Sequence, residues 1–461
     1  MRSSLRSIAM SLAVAAPLLA VAVIVAAYVH QRVLPVGAAR LAPTTSAGER
    51  RIAWAYATLE RYYYKPLDPV AVERSERAAL LALVRTRVHT ATLPAIPSGD
   101  PPDVVASLER QLADAERSYG AALGPGGDQR LADAALRGIM AAQHDPYTVY
   151  LSPAEYRGLN EMIDGGDFGG IGVYIEPWHD GIVVQPIAAS PAARAGIKPG
   201  DIIERVNGVS VHGLSLERVK QLIRGAPGTL VRLTVHPFDR PRAVRTVAIV
   251  REIIHVPTVY AEMTHGYDYI RLADFGETSP QEVRRALLDG IHRHAKGFIL
   301  DLRDDGGGLL SAAVQISSYF IPHGPIVSTI TRDGSREVEE ATGTAIGGLH
   351  PLVVLVNGYT ASASEITSGA IQDYHAGTIV GTRTFGKGVV QSLFPLPGGG
   401  ALKITIARYL TPSGRSIQHH GIEPDVVVPQ SPDPALFGTP RDRQLAVAER
   451  ILARASAGDP R

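Results

Sequence analysis

Residues 352–374 read Leu352-Val-Val-Leu-Val-Asn-Gly-Tyr-Thr-Ala-Ser-Ala-Ser-Glu-Ile-Thr-Ser-Gly-Ala-Ile-Gln-Asp-Tyr374. The apolar run Leu352 to Val356 predicts a short buried strand, Asn357-Gly358 a turn, and Glu365 to Tyr374 a helix. The same alternation recurs on both sides. Tyr269 to Leu272, Gly297 to Leu302 and Thr378 to Val380 predict further strands, and Pro280 to His294 and Leu309 to Tyr319 predict helices. Strands separated by helices predict an α/β core. Such folds place their chemistry at strand-to-helix junctions, where backbone N–H groups and helix N-termini converge.

Three junctions carry reactive residues. In Asn357 to Glu365, a serine on a sharp turn at a helix N-terminus has an exposed Oγ and a nearby positive dipole, which suits attack on a carbonyl. The competing reading is that Ser362 or Ser364 caps the helix, with Glu365 completing its first turn. In Asp301-Leu-Arg-Asp-Asp-Gly-Gly-Gly308, glycines let backbone amides turn toward a ligand, or simply make a tight turn. Gly381-Thr-Arg-Thr-Phe-Gly-Lys-Gly388 nearly spells a phosphate-binding loop, but Gly388 stands where the magnesium-binding hydroxyl belongs. What remains is a lysine flanked by Phe385, Val389 and Val390. Desolvation would lower its pKa toward that of a general base, and the neutral Gln391 can orient the amine without stabilising its charge. His375, His419 and His420 are rival bases in the same region, although no G-x-S-x-G elbow is present. His144, His265, His292 and His294 lack metal-ligand spacing.

Outward from the core, the chain divides into further sections. Gly172 to Ile175, Ile182 to Pro186, Ile202 to Val206, Val231 to His236 and Thr246 to Val250 predict a small, partly open β-barrel with helices at Pro191 to Ala195 and Leu216 to Ile223. Before it, helical patterns run through Arg51 to Tyr64, Ala71 to Val88, Val104 to Ala122 and Leu131 to Met140. After Pro429 the chain reads as a polar extension with one helix, Arg441 to Arg454. At the start, Arg2 and Arg6 precede an uncharged stretch, Ser7 to Val29, long enough to cross a bilayer. It predicts a membrane anchor with the bulk of the chain outside the cytoplasm, and cleavage near Ala26, Ala27 or Ala39 is the alternative. The 461 residues have a formal net charge of +1, which gives no sign of nucleic-acid binding. The chain has no cysteine, which excludes thiolate catalysis and cysteine-bound metals.

With these elements in hand, the chain resembles the C-terminal processing peptidase, or tail-specific protease, family over about Leu131 to Val428. The matching segments are Asp145-Pro-Tyr-Thr-Val-Tyr-Leu151, Asp301 to Gly308, Thr360-Ala-Ser-Ala-Ser-Glu-Ile366, Thr384-Phe-Gly-Lys-Gly-Val-Val-Gln391, and Tyr409-Leu-Thr-Pro-Ser-Gly-Arg415 leading to Gly421-Ile-Glu-Pro-Asp425. The resemblance implies a serine nucleophile with a lysine base 25 residues later, which pairs Lys387 with Ser362 rather than Ser364. It also implies Gln391 as the supporting glutamine, Ala363 and Gly307 as oxyanion-hole amides, and Asp373, with Glu365, as supporting acids. The β module looks like a PDZ domain. Gly169, Gly170, Ile171 and Gly172 would form its carboxylate-binding loop, and Arg224 resembles a position coupling that module to the active site.

The implied architecture is an α/β peptidase core of the ClpP/crotonase-like ββα type with an inserted β-rich PDZ domain, an N-terminal helical region and an N-terminal transmembrane helix. The expected divisions are residues 1–32 (anchor), 33–164 (helical region), 165–253 (PDZ domain), 254–430 (peptidase core) and 431–461 (extension). The implied activity is serine endopeptidase action on protein substrates with accessible apolar C-termini, in the periplasm or cell envelope, with no metal or nucleotide cofactor. A catalytically inactive PDZ scaffold and a Ser-His hydrolase are the alternatives. Two departures stand out. Asp304 and Asp305 replace at least one asparagine of the family pattern, adding negative charge beside the expected oxyanion hole. The helical region between about Ala71 and Gln129 is enlarged, which suggests a homodimer contact or a surface for a regulatory partner.

Overall fold

The computed structural model describes residues 46–95, 103–163, 168–178, 181–187, 189–346, 350–429 and 436–456. The expected anchor, Ser7 to Val29, lies outside these. Among the described residues no helix is long and apolar enough to cross a membrane.

A six-stranded sheet runs in the order Val259–Thr264, Tyr267–Leu272, Phe298–Asp301, Leu352–Val356, Thr378–Gly381, Val426–Val427. Its first pair is antiparallel and the others are parallel. Successive side chains of a strand point to opposite faces, and both faces here are covered. Phe298, Leu300, Val354 and Val356 join the core made with the helices Ser279–His292, Leu310–Ser318 and Ala363–Asp373. Ile299, Val353 and Leu355 pack on Leu445, Ala448 and Leu452 of the helix Arg443–Ser456. That two-sided burial explains the unbroken apolar runs in the sequence.

A second, antiparallel sheet closes the other side of these helices. Its long strand Ala401–Leu410 pairs with Val149–Leu151, Val389–Pro395 and Pro325–Thr331, and the last of these also pairs with Arg336–Glu340. Val390, Ala407 and Tyr409 enter the core shared with those three helices. Phe394, Leu402 and Ile404 face outward, against a layer of four helices, Ala47–Tyr62, Pro69–Arg85, Val104–Tyr119 and Gly127–Ala141. The helices start where capping chemistry puts them. Ser46 and Glu49 form a reciprocal capping box, and Asp68 caps a helix whose first residue is Pro69.

The β module has its own core, around Ile171, Ile203, Val206, Val231 and Leu233. Its strands run Val173–Trp178, Gly181–Pro186, Asp201–Val206, Leu230–Pro237, Arg245–Val250. The two chain ends are zipped together by the antiparallel pair Phe168–Gly170 and Glu252–Ile254, so the module is carried on a two-stranded stem.

The chain after Pro429 corrects the expectation of a polar extension. Phe437, Asp442 and Gln444 are buried, because the buried Arg303 needs anionic partners. Its guanidinium bonds Asp301 (2.8 and 2.6 Å), Asp442 (3.0 and 2.8 Å) and Gln444 (3.0 Å), and stacks 4.0 Å from the Phe437 ring.

Candidate active site

The loops after three parallel strands meet at the carboxyl edge of the sheet: 302–308, 357–362 and 382–387. They are stapled by backbone bonds. Ala361 N–H donates to Asp305 O (3.0 Å), and Phe385 N–H donates to Thr360 O (3.0 Å).

Ser362 occupies the cap position of the helix Ala363–Asp373, but it is not an ordinary cap. Its backbone has φ 63° and ψ −117° instead of the extended conformation of a cap residue, a strained geometry concentrated at functional sites. The hydroxyl is fully buried and has no hydrogen-bond partner.

Lys387 is 1% exposed. Burial, reinforced by the positive charge of Lys403, pulls its amine down to a pKa of about 7, against the opposing pull of Glu365 and Asp145. The ring of Tyr147 lies 4.9 Å from Nζ, so the Asp145-to-Leu151 segment forms a wall of the lysine pocket. Asp145 shapes that segment by accepting Tyr147 N–H (3.0 Å) and Thr148 Oγ1–H (2.7 Å).

Two side chains pin the serine and lysine backbones together. The Tyr409 hydroxyl reaches Ser362 O (3.1 Å) and Lys387 O (2.6 Å). Glu365 accepts Ser362 N–H (2.9 Å), Lys387 N–H (2.9 Å), Gly386 N–H (2.7 Å) and Thr384 Oγ1–H (2.5 Å). Burial raises the Glu365 pKa while these donors oppose the rise. Glu365 therefore fixes the frame of the site, and its charge also opposes the lowering of the Lys387 pKa.

Other expected residues fall in various places. Ala363 opens the helix, so its N–H has no intrahelical partner. Gly307 lies against it: a Cβ there would come within 2.7 Å of Ala363 N and 2.8 Å of Ser362 Cβ. Gly307 N–H, however, donates to Asp305 Oδ1 at 2.8 Å. Gln391 is fully buried. Its Nε2 donates to Thr405 Oγ1 at 3.4 Å and its Oε1 has no partner. Asp373 stands at the far end of the helix from Ser362, where it accepts Ser413 N–H (2.9 Å) and pairs with Arg415 (2.5 Å), holding the 411–415 turn. His419 and His420 are exposed and bond within their own turn, to Gln418.

Gly169 and Gly170 lie on the stem strand Phe168–Gly170, Ile171 is buried, and Gly172 has φ 72°. Arg224 stacks 4.0 Å over Phe168, beside that loop. Reading the sequence did not single out Tyr147, Tyr409 or Lys403. Tyr147 and Tyr409 sat inside quoted segments without a role, and Lys403 shows itself only through the second sheet. Exposed Tyr359 and Phe385 flank the same junctions, at 69% and 55% exposure.

An α/β fold with a strained serine at a helix N-terminus and a desolvated lysine, carrying a separate β module, defines a serine-type peptidase with a PDZ domain. Comparison with known proteins agrees. Residues 266–428 match peptidase family S41 and residues 182–236 match a PDZ domain. The carboxy-terminal-processing protease of Bartonella bacilliformis is 38% identical over 311 residues, 66% of this chain and 70% of that protein. The carboxyl-terminal-processing protease of a Picosynechococcus species is 38% identical over 327 residues, 69% and 78% respectively. Among solved structures, the photosystem II D1 C-terminal processing protease is 27% identical with a TM-score of 0.48, covering 90% of this chain and 99% of that one. The chain belongs to peptidase family S41.

Proposed function

We propose that this chain is an endopeptidase that processes the C-terminal tails of extracytoplasmic proteins, with Ser362 as nucleophile and Lys387 as general base. The observation that carries the reading is the amine of Lys387, buried and brought to a pKa of about 7, in a frame shared with the unpartnered Ser362 hydroxyl. A base with a pKa near the working pH is the effective one.

The Ser362 Oγ–H attacks the scissile carbonyl carbon and its proton passes to neutral Lys387. Ala363 N–H, with Gly307 N–H, receives the charge that develops on the carbonyl oxygen. Collapse breaks the C–N bond, and the lysine ammonium returns the proton to the departing amine. Water then attacks the acyl ester, giving a proton to Lys387; the C–Oγ bond breaks and the lysine ammonium returns that proton to Oγ, restoring the serine and the neutral amine. Gln391 Oε1 is an acceptor available to steady the amine, and Tyr359 and Phe385 offer apolar surface to residues flanking the scissile bond.

The PDZ loop Gly169 to Gly172 receives the substrate's terminal carboxylate in backbone amides while the tail adds as a strand, and Arg224, stacked at that loop, transmits its occupancy. Ser7 to Val29 anchors the chain with residues 33–164, 165–253, 254–430 and 431–461 in the periplasm or cell envelope, and the enlarged helical region is the surface for a second copy or a regulatory partner. Membrane fractionation with externally added protease, and light scattering of the purified chain, test those two assignments. A chain in the soluble cytoplasmic fraction, or a monomer with no bound partner, opposes them.

The test of the activity is incubation of an unfolded protein bearing an apolar C-terminal tail with the wild-type chain, Ser362→Ala and Lys387→Ala. Cleavage by wild type alone is expected. An intact substrate in every tube opposes the reading, and cleavage that survives Lys387→Ala favours a histidine base.

A further inference from the structure

The amide expected to stabilise the oxyanion already has an acceptor. Asp305 is fully buried, and its Oδ1 takes Gly307 N–H at 2.8 Å. Its Oδ2 is buried without any hydrogen-bond partner. The backbone leaves little freedom to rearrange around it: Asp305 O accepts both Ala361 N–H (3.0 Å) and Ser364 Oγ–H (3.1 Å), fixing Asp305 to the turn that bears Ser362. Gly307, at φ 95°, is pressed against the Ser362–Ala363 peptide. The Asp305 carboxyl is thus one hydrogen bond behind the place where a carbonyl oxygen must gather negative charge.

The two protonation states of this group have opposite consequences. An ionised carboxylate holds the Gly307 amide with a charge-assisted bond and sets a negative charge beside the developing oxyanion. A neutral carboxyl accepts the same N–H more weakly, so the hydrogen can be shared with or released to the oxyanion, and it adds no charge.

We propose that Asp305 is a positioning residue of the oxyanion site, acting through Gly307, and that the enzyme turns over with this side chain in its neutral form. The proposal rests on the reading of Ser362 as the nucleophile. The surroundings favour the neutral form. Burial holds the Asp305 carboxyl well above the usual carboxylate range, and Asp274, on the turn after the strand Tyr267–Leu272, pushes it further up. Arg271 on that strand pulls the other way, as do the bonds from Gly307 and Ser364. On the adjoining elements, Asp304 is bound to Asn357 Nδ2 at 2.7 Å, Glu365 is committed to the 384–387 loop, and Lys387 sits against Tyr147. Asp274 itself is raised by burial to about 7, so in alkaline solution its charge opposes ionisation of Asp305.

The experiment is the pH dependence of kcat for the full chain, from mildly acidic to strongly alkaline pH, with the tail-bearing unfolded substrate, for wild type, Asp305→Asn and Asp274→Asn. The wild-type rate should rise as Lys387 loses its proton and fall again at alkaline pH as Asp305 ionises. Asp305→Asn keeps an oxygen acceptor for Gly307 N–H but cannot ionise. It should lose the alkaline fall and exceed wild type there by on the order of tenfold or more. Asp274→Asn removes the repelling charge and should move the fall to lower pH. A pure packing role for Asp305 would scale the whole profile without changing its shape. An alkaline limb that is the same in wild type and Asp305→Asn, or that does not move in Asp274→Asn, overturns the proposal while leaving Ser362 and Lys387 in place. A wild-type chain as inert as Ser362→Ala sinks the underlying reading and this proposal with it.

Discussion

The backbone amides of Ser362 and Lys387 donate to one and the same oxygen, Glu365 Oε2, at 2.9 Å each. Residues on separate loops are thereby fixed relative to one another by a third side chain, which is the positional precision a proton transfer requires. Removing the Glu365 carboxylate leaves four buried donors without an acceptor, each an unsatisfied group with a desolvation cost. Glu365→Ala should destabilise the chain by about 3–5 kcal/mol and lower kcat far more than it changes KM. Urea unfolding and steady-state kinetics check the two effects separately.

Lys387 contributes activity at the expense of stability. Its folded pKa of about 7 lies below the ordinary 10.5, so the unfolded chain binds the proton more tightly than the folded one. The cost of holding the ammonium buried is therefore full below pH 7 and fades as the pH rises toward the unfolded value. Lys387→Met should abolish cleavage yet stabilise the fold by about 2–4 kcal/mol in mild acid. That gain should shrink steadily with alkalinity in denaturation experiments across pH.

Asp442 lies far along the chain from the Asp301-to-Gly308 loop and is nevertheless part of its foundation, through the buried Arg303 clamp. Breaking a buried pair by deleting one partner leaves an uncompensated charge. Asp442→Ala should lower stability by about 3–5 kcal/mol, measured by chemical denaturation. Truncation before Phe437 should act in the same direction.

Glu76 is buried in the helical layer, with neither oxygen bonded and Glu73 adding like charge. Its folded pKa is raised, so the stability it permits is full below the ordinary carboxyl pKa and is lost as the pH climbs through the folded value. Glu76→Gln should leave the melting temperature near wild type at pH 4 and raise it at pH 8. Thermal scans at the two pH values decide this.

The central sheet was legible because strands buried on both faces leave continuous apolar runs, as in Leu352 to Val356 and Gly297 to Leu302. The β module was legible through its turns and alternation. The antiparallel sheet was not. Its strands Val389–Pro395 and Ala401–Leu410 sit inside segments rich in glycine and proline, and Lys403 and Thr405 face the lysine pocket or its wall, which breaks the apolar pattern. The same effect hid the tail: Asp442 and Gln444 look like surface residues until Arg303 is seen to need them. At the site, residue types offered Ser362 and Ser364 as candidates together with Lys387, and the family resemblance paired Lys387 with Ser362, whereas the bonds of Glu365 and Tyr409 depend on loops distant in sequence. In the sequence Asp305 is only an added charge; its bond to Gly307 arises from the folding of the 302–308 loop.

The most direct test is labelling of the full chain, by acylation with a peptide ester or phosphonylation with a serine-directed fluorophosphonate, followed by peptide mapping in a mass spectrometer over a range of pH. The label should fall on Ser362, form at a rate that rises with a midpoint near pH 7, the Lys387 value, and vanish in Lys387→Ala. A label on another residue, or equal labelling of wild type and Lys387→Ala, contradicts the account.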